Sequence, residues 1–222
     1  MLADVNPQIW WYVTRSSGFV AWGLSIVAIL LGMALSTRAL GDNPRPAWLL
    51  DLHRFVGGLT VAMLGVHMGS LVADSYTYFS LGDLFIPYGA TWKPGPVAWG
   101  VFAMWLLLAV EVSSLVMRRI PRRLWHGIHF TSYLVAVLST VHAFTAGTDA
   151  TNPALTWVSV GALSITVFFF VYRLLLPKRK RQAATAAAAR ARIAERKAGR
   201  GDAASTDAST DAPTDAEPAP QR

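Results

Sequence analysis

Five stretches of the chain are each apolar for about the length a helix needs to cross a bilayer, and that leaves few folds open. They run from about Gly18 to Leu40, Leu52 to Ala73, Val97 to Met117, Trp125 to Thr145 and Leu155 to Leu176. At a rise of about 1.5 Å per residue, about 20 apolar residues span the hydrocarbon core. Lipid offers backbone amides no water, so such spans fold as helices bonded within themselves. The expected fold is all-α, a polytopic bundle of about five transmembrane helices. Breakers fall between the stretches: Gly41-Asp42-Asn43-Pro44 with Pro46, then Pro87, Pro94 and Pro96, then Pro121, then Gly147 to Pro153. The first stretch is too long for the apolar region of a signal peptide, and Asp4 and Arg15 flank its start, so it is read as a retained span.

Basic residues orient the bundle. The third connection carries Arg118, Arg119, Arg122 and Arg123, the C-terminal flank Lys178, Arg179, Lys180 and Arg181, and the first connection Arg38, Arg45 and Arg54. The second has only Lys93 and the fourth has none. The positive-inside rule places the C-terminus and connections one and three in the cytoplasm and the N-terminus outside, across a plasma membrane. The second and fourth helices then run in the same direction.

The net charge of +7 is unevenly spread. Residues 1–177, the expected membrane domain, carry 10 basic against 7 acidic residues, segment 178–200 carries 9 against 1, and segment 201–222 carries 1 against 5. The basic excess therefore sits beside the last span, which suits anionic lipid headgroups rather than nucleic acid. Segment 178–200 is expected as a basic juxtamembrane helix, and 201–222, with its Ser-Thr-Asp and Pro repeats, as a disordered cytoplasmic tail. The absence of cysteine excludes disulfides, thiolate metal sites, Fe–S clusters and cysteine nucleophiles.

Four of the five histidines fall into two spaced pairs on the second and fourth helices: His53 and His67 are 14 residues apart, His129 and His142 are 13 apart. Those separations are roughly 21 and 20 Å along a helix. On parallel helices His53 meets His129 near the cytoplasmic face, and His67 meets His142 nearer the outer face. Imidazole in a bilayer is costly and marks function or a satisfied polar contact. A neutral imidazole can ligate haem iron through one nitrogen while the other donates a hydrogen bond. Two histidines fill both axial positions of one iron, which favours electron transfer over substrate activation. His53, His67, His129 and His142 are thus expected to bind two stacked haems, with no catalytic side chain. The rival reading makes them interhelical polar contacts in a non-redox scaffold or transporter. Fourteen residues leave about 40° between His53 and His67, but thirteen leave about 140° between His129 and His142. A bend, tilted haems or different rotamers must absorb that offset.

Other residues carry less. Gly57, Gly58, Gly65 and Gly69 would let a flat macrocycle approach the second helix, or let helices pack closely. His126 is expected as an interfacial polar residue or a contact to a haem propionate. Glu111 is expected to pair with an arginine of the cytoplasmic loop or to relay protons. Arg15, Arg54, Arg122 and Arg123 sit where propionates would emerge. Trp10, Trp11, Trp48, Trp92, Trp125 and Trp157 read as interfacial aromatic belts.

Over about residues 10–176 the chain resembles the ferric reductase-like transmembrane domain family, which includes the membrane cores of NADPH oxidases and ferric reductases and the haem subunit of a bacterial methionine sulfoxide reductase. The carriers are Thr14-Arg15-Ser16-Ser17-Gly18, Leu52-His53-Arg54-Phe55, Val66-His67, Arg122-Arg123-Leu124-Trp125-His126-Gly127-Ile128-His129 and Val141-His142-Ala143. The resemblance implies ligation of haem b by His53 with His129 and by His67 with His142. The family commonly has six spans, where five can be marked here. Its oxidases continue into FAD- and NADPH-binding domains, whereas the residues after the last span lack strands and a glycine-rich phosphate loop. An electron-transfer subunit is therefore expected, fed by a flavoprotein or quinol donor and emptied by an extracytoplasmic acceptor protein or small oxidant. The alternative is a self-sufficient reductase of ferric iron or oxygen.

Overall fold

Backbone groups in lipid must bond to each other, and each of the five apolar stretches is helical in the computed structural model of the chain. The structure describes residues 8–37, 47–74, 79–148, 151–175 and 186–195. In order, the helices are α1 (Gln8–Thr37), α2 (Ala47–Ala73), the short α3 (Leu81–Phe85), α4 (Pro94–Leu115), α5 (Arg122–Phe130), α6 (Ser132–Ala146) and α7 (Pro153–Leu175). With α5 and α6 counted together, five helices among the described residues are long and apolar enough to cross a membrane. The protein is a polytopic all-α membrane bundle.

Two boundaries differ from expectation. The first helix begins at Gln8, a full ten residues before Gly18, so Thr14 to Ser17 lie within it. The fourth span is broken at Thr131. There the Thr131 N–H reaches back only three residues, to the Ile128 carbonyl at 3.0 Å, and its hydroxyl donates to the same oxygen at 2.6 Å. This tightened turn lies between His129 and His142. A break in the helix thus separates the two rings along the span.

Small polar contacts join the helices where apolar packing against lipid-like neighbours gives little drive. Thr14 and Ser70 share a buried hydrogen bond of 2.7 Å between α1 and α2. The Trp22 indole donates to Thr140 Oγ1 at 2.9 Å, and Arg173 Nη1 donates to Tyr133 Oη at 2.7 Å. Lys93, left-handed at φ 42°, precedes Pro94 and donates through Nζ to the Thr145 and Ala146 carbonyls, setting a cation on the free end of α6. Ile26, Ile29, Met33 and Ala136 form one buried cluster, flanked by Tyr133 and Phe170. Phe79, Leu84, Val97, Val101 and Met104 form another beneath α3. Around them Trp48, Phe55, Leu115, Trp157 and Phe168 point outward, the surface a bilayer would cover.

Met1–Arg173 forms one compact unit and Leu174–Arg222 a second. Within the second, residues 186–195 of the basic segment are helical and exposed. The tail 201–222 and the connection bearing Arg38 and Arg45 lie outside the described residues.

Candidate functional site

A histidine on a transmembrane helix must satisfy the ring nitrogen that serves no ligand, and the only plentiful acceptors nearby are helix carbonyls. Three of the four histidines use one. His53 Nδ1 donates to the Ala28 carbonyl at 3.0 Å, His67 Nδ1 to Thr14 at 2.8 Å, and His142 Nδ1 to Pro96 at 2.9 Å. A carbonyl only accepts, so Nδ1 carries the proton and Nε2 keeps its lone pair. The tautomer is set by the fold.

Reaching such a carbonyl requires room one turn further along, where the side chain four residues on would stand. That residue is glycine each time: Gly18 after Thr14, Gly32 after Ala28, Gly100 after Pro96. A Cβ would lie 3.0 Å from the His67 ring at Gly18, 3.3 Å from His53 at Gly32, and 2.8 Å from His142 at Gly100. His129 is held differently. The residue 14 beyond Gly100 is Ser114, whose hydroxyl donates to the Val110 carbonyl at 2.7 Å and stands 3.4 Å from His129 Nδ1. The serine interposes its oxygen where the other sites leave the carbonyl bare, and its contact to the ring is the longest of the four.

These bonds show α1 antiparallel to α2 and α4 antiparallel to α5–α6, and they leave α2 and α5–α6 parallel. Across that seam His53 faces His129 with ring centroids 6.0 Å apart and planes at 67°, and His67 faces His142 at 6.4 Å and 84°. Neither pair is hydrogen-bonded ring to ring. Among the described residues no three His, Asp or Glu side chains converge as a chelating set; these donors come in twos. An apolar cavity surrounds the second pair, its walls including Thr14, Gly18, Leu64, Met68, Gly100 and Met104 as well as His67 and His142. Arg15 is at the same cavity, with its guanidinium 5.6 Å above the Trp11 ring.

Several minor expectations change. Of the glycines on α2, only Gly57 is closely approached: a Cβ there would stand 2.6 Å from Glu111 Oε1, whereas Gly58, Gly65 and Gly69 face open space. The glycines that histidine rings approach closely sit on α1 and α4, opposite the histidines rather than beside them. Glu111 is half-buried on α4, its carboxylate set against Gly57 of α2. Arg54 lies 3.8 Å from Asp51 in an exposed pair. His126 is exposed, donating from Nδ1 to the Arg122 carbonyl at 2.6 Å, and joins neither pair. Trp125 does more than line an interface: its ring stacks on His129, centroids 5.0 Å apart and planes 27° from parallel.

One signal for the hidden partners was present in the sequence. Gly18 and Gly32 are 14 residues apart, as are His53 and His67 and also Gly100 and Ser114. Antiparallel helices with equal spacing put a gap opposite each ring. Comparison of the chain with protein-family models, with curated proteins and with solved structures found no match.

Proposed function

We propose that the chain is the membrane subunit of an electron-transfer system, with one b-type haem between His53 and His129 and a second between His67 and His142. The gap inside each pair carries this reading. A direct ring-to-ring hydrogen bond, about 2.9–3.0 Å between nitrogens, would draw the centroids to about 5 Å. Two metal–imidazole bonds of about 2.0–2.1 Å on opposite sides of one metal set them about 6 Å apart. The observed 6.0 and 6.4 Å are too wide for the first arrangement and leave room for the second. Two imidazoles are too few for a bare metal ion, which takes three or four protein donors, but they are a complete axial set for a macrocycle that supplies the remainder.

When bound, haem supplies reversible one-electron storage at its iron. The chain's residues hold it ready. Ala28, Thr14 and Pro96 fix three rings through Nδ1, so Nε2 is presented without reorganisation. Gly18, Gly32 and Gly100 let those rings seat. The mostly apolar wall around His67 and His142 disfavours water at that site. On α2 the two positions are about 21 Å apart along the helix, so an electron entering at one face is carried most of the way across the core.

With the orientation read from the loop arginines, His53 and His129 form the inner site. A cytoplasmic flavoprotein or membrane quinol would donate there, and an extracytoplasmic reductase, ferric iron or oxygen would accept at the outer site. The test is a pyridine haemochrome assay and a reduced-minus-oxidised spectrum of the purified chain. About two haems b per chain are expected. A colourless protein from cells amply supplied with haem overturns the reading.

A further inference from the structure

Trp125 is unusual in this molecule. Its Nε1–H is the one buried side-chain nitrogen or oxygen among the described residues without a hydrogen-bond partner. Leaving such a donor unpaired forfeits its hydration without return, and native proteins rarely tolerate it without a reason. Other tryptophan donors are used: Trp22 bonds Thr140, and Trp105 bonds the Phe85 carbonyl at 3.0 Å. Trp125 stands one helical turn before His129 on α5 and stacks on its ring. Its other aromatic neighbour, His126, meets it edge-on at 4.7 Å but commits Nδ1 to Arg122. The idle N–H is therefore fixed beside an imidazole whose ring lies 6.0 Å from that of His53. Positive charge lies at the same end of the bundle, in Arg54 next to His53 and in Arg173, bonded to Tyr133 at the start of α6.

A carboxylate is the acceptor this setting favours. It bonds a neutral N–H more strongly than a carbonyl does, and it complements the nearby arginines. Haem brings two carboxylates with it. Resting on the haem reading above, we propose that the Trp125 indole N–H donates to a propionate carboxylate of the haem held between His53 and His129. Trp125 is thus a positioning residue, setting the rotation of the macrocycle about the axis joining the two imidazoles and drawing negative charge off that propionate. A bare propionate charge near the iron favours the ferric state, and the indole N–H disperses part of that charge, so removing the donor stabilises ferric iron and lowers one midpoint potential.

The test uses the full chain, stripped and reloaded with haem or with haem dimethyl ester, whose propionates cannot carry charge. Trp125→Phe keeps a ring against His129 and removes the donor; Trp157→Phe, on the outward face of α7, is the control. With haem, Trp125→Phe should lower one of the two midpoint potentials and speed release of one haem, while Trp157→Phe changes neither. With the ester, Trp125→Phe and the parent chain should behave alike. In the parent chain, ultraviolet resonance Raman should show a tryptophan N–H becoming hydrogen-bonded on loading haem, and more weakly so with the ester; this measurement decides the matter even if the variant does not fold. Two bound haems with no effect of Trp125→Phe, or an effect that persists undiminished with the ester, overturn the proposal alone. Failure of the parent chain to take up haem overturns the haem reading with it.

Discussion

Gly100 and His142 are in closer register than any side chain at position 100 would permit. A Cβ on Gly100 would stand 2.8 Å from both Cε1 and Nδ1 of the ring, inside van der Waals contact. The ring lies there because its Nδ1–H is bonded to Pro96, one turn earlier on the same helix. Glycine in a helix is thus kept at a cost of about 1 kcal/mol relative to alanine so that an imidazole can reach the backbone.

Gly100→Ala should therefore destabilise the chain and reduce haem at the His67–His142 site, although Gly→Ala ordinarily strengthens a helix. Gly18→Ala should do the same less severely, at 3.0 Å from His67, and Gly32→Ala least, at 3.3 Å from His53. Haem per chain and thermal unfolding of the three variants check the ranking. A uniform gain in stability would contradict it.

Ligand substitutions should pair off. His67→Ala and His142→Ala are each expected to leave about one haem per chain, and the double variant to lose no more than either single. His53→Ala and His129→Ala should behave the same way at the other site. Pyridine haemochrome stoichiometry reads this directly, because residues acting as one unit are non-additive.

Ser114→Ala tests the odd site. It removes the oxygen 3.4 Å from His129 Nδ1 and should weaken haem at the His53–His129 site alone. Loss of an outer hydrogen bond to a ligating histidine costs about 10–100-fold in affinity, and so long a contact places this one near the lower end. Haem dissociation kinetics should show one fast and one unchanged phase.

Gly57→Ala should lower the unfolding temperature by forcing apart α2 and α4, since a Cβ would stand 2.6 Å from Glu111 Oε1. Truncation of the carboxylate in Gly57→Ala/Glu111→Ala should restore much of the loss. A coupling of about 0.5–3 kcal/mol is the usual range for residues in contact. Additive effects of the two substitutions would mean that they do not meet.

Hydropathy was enough to recover the number and approximate extent of the spans, because a bilayer demands the same length of apolar helix whatever the side chains are. The histidines were legible for a related reason: an ionisable ring in such a span is rare enough to be noticed. The glycines were less legible: Gly58, Gly65 and Gly69 face open space, and the glycines that the rings approach, Gly18, Gly32 and Gly100, lie on other helices.

Membrane solvation, acting on each segment by itself, thus determined from sequence a five-span all-α bundle with imidazoles at two levels. Only the assembled structure decided which surfaces those imidazoles touch. That Thr14, Ala28 and Pro96 would lend their carbonyls, that Thr131 would break the fourth span, and that Trp125 would lie against His129 all depend on how separate helices meet. Spacing along one segment does not by itself fix its rotation against another, even where, as for Gly18–Gly32 and His53–His67, the spacings match. That rotation is settled by contacts between residues dozens of positions apart, such as the Trp22–Thr140 hydrogen bond.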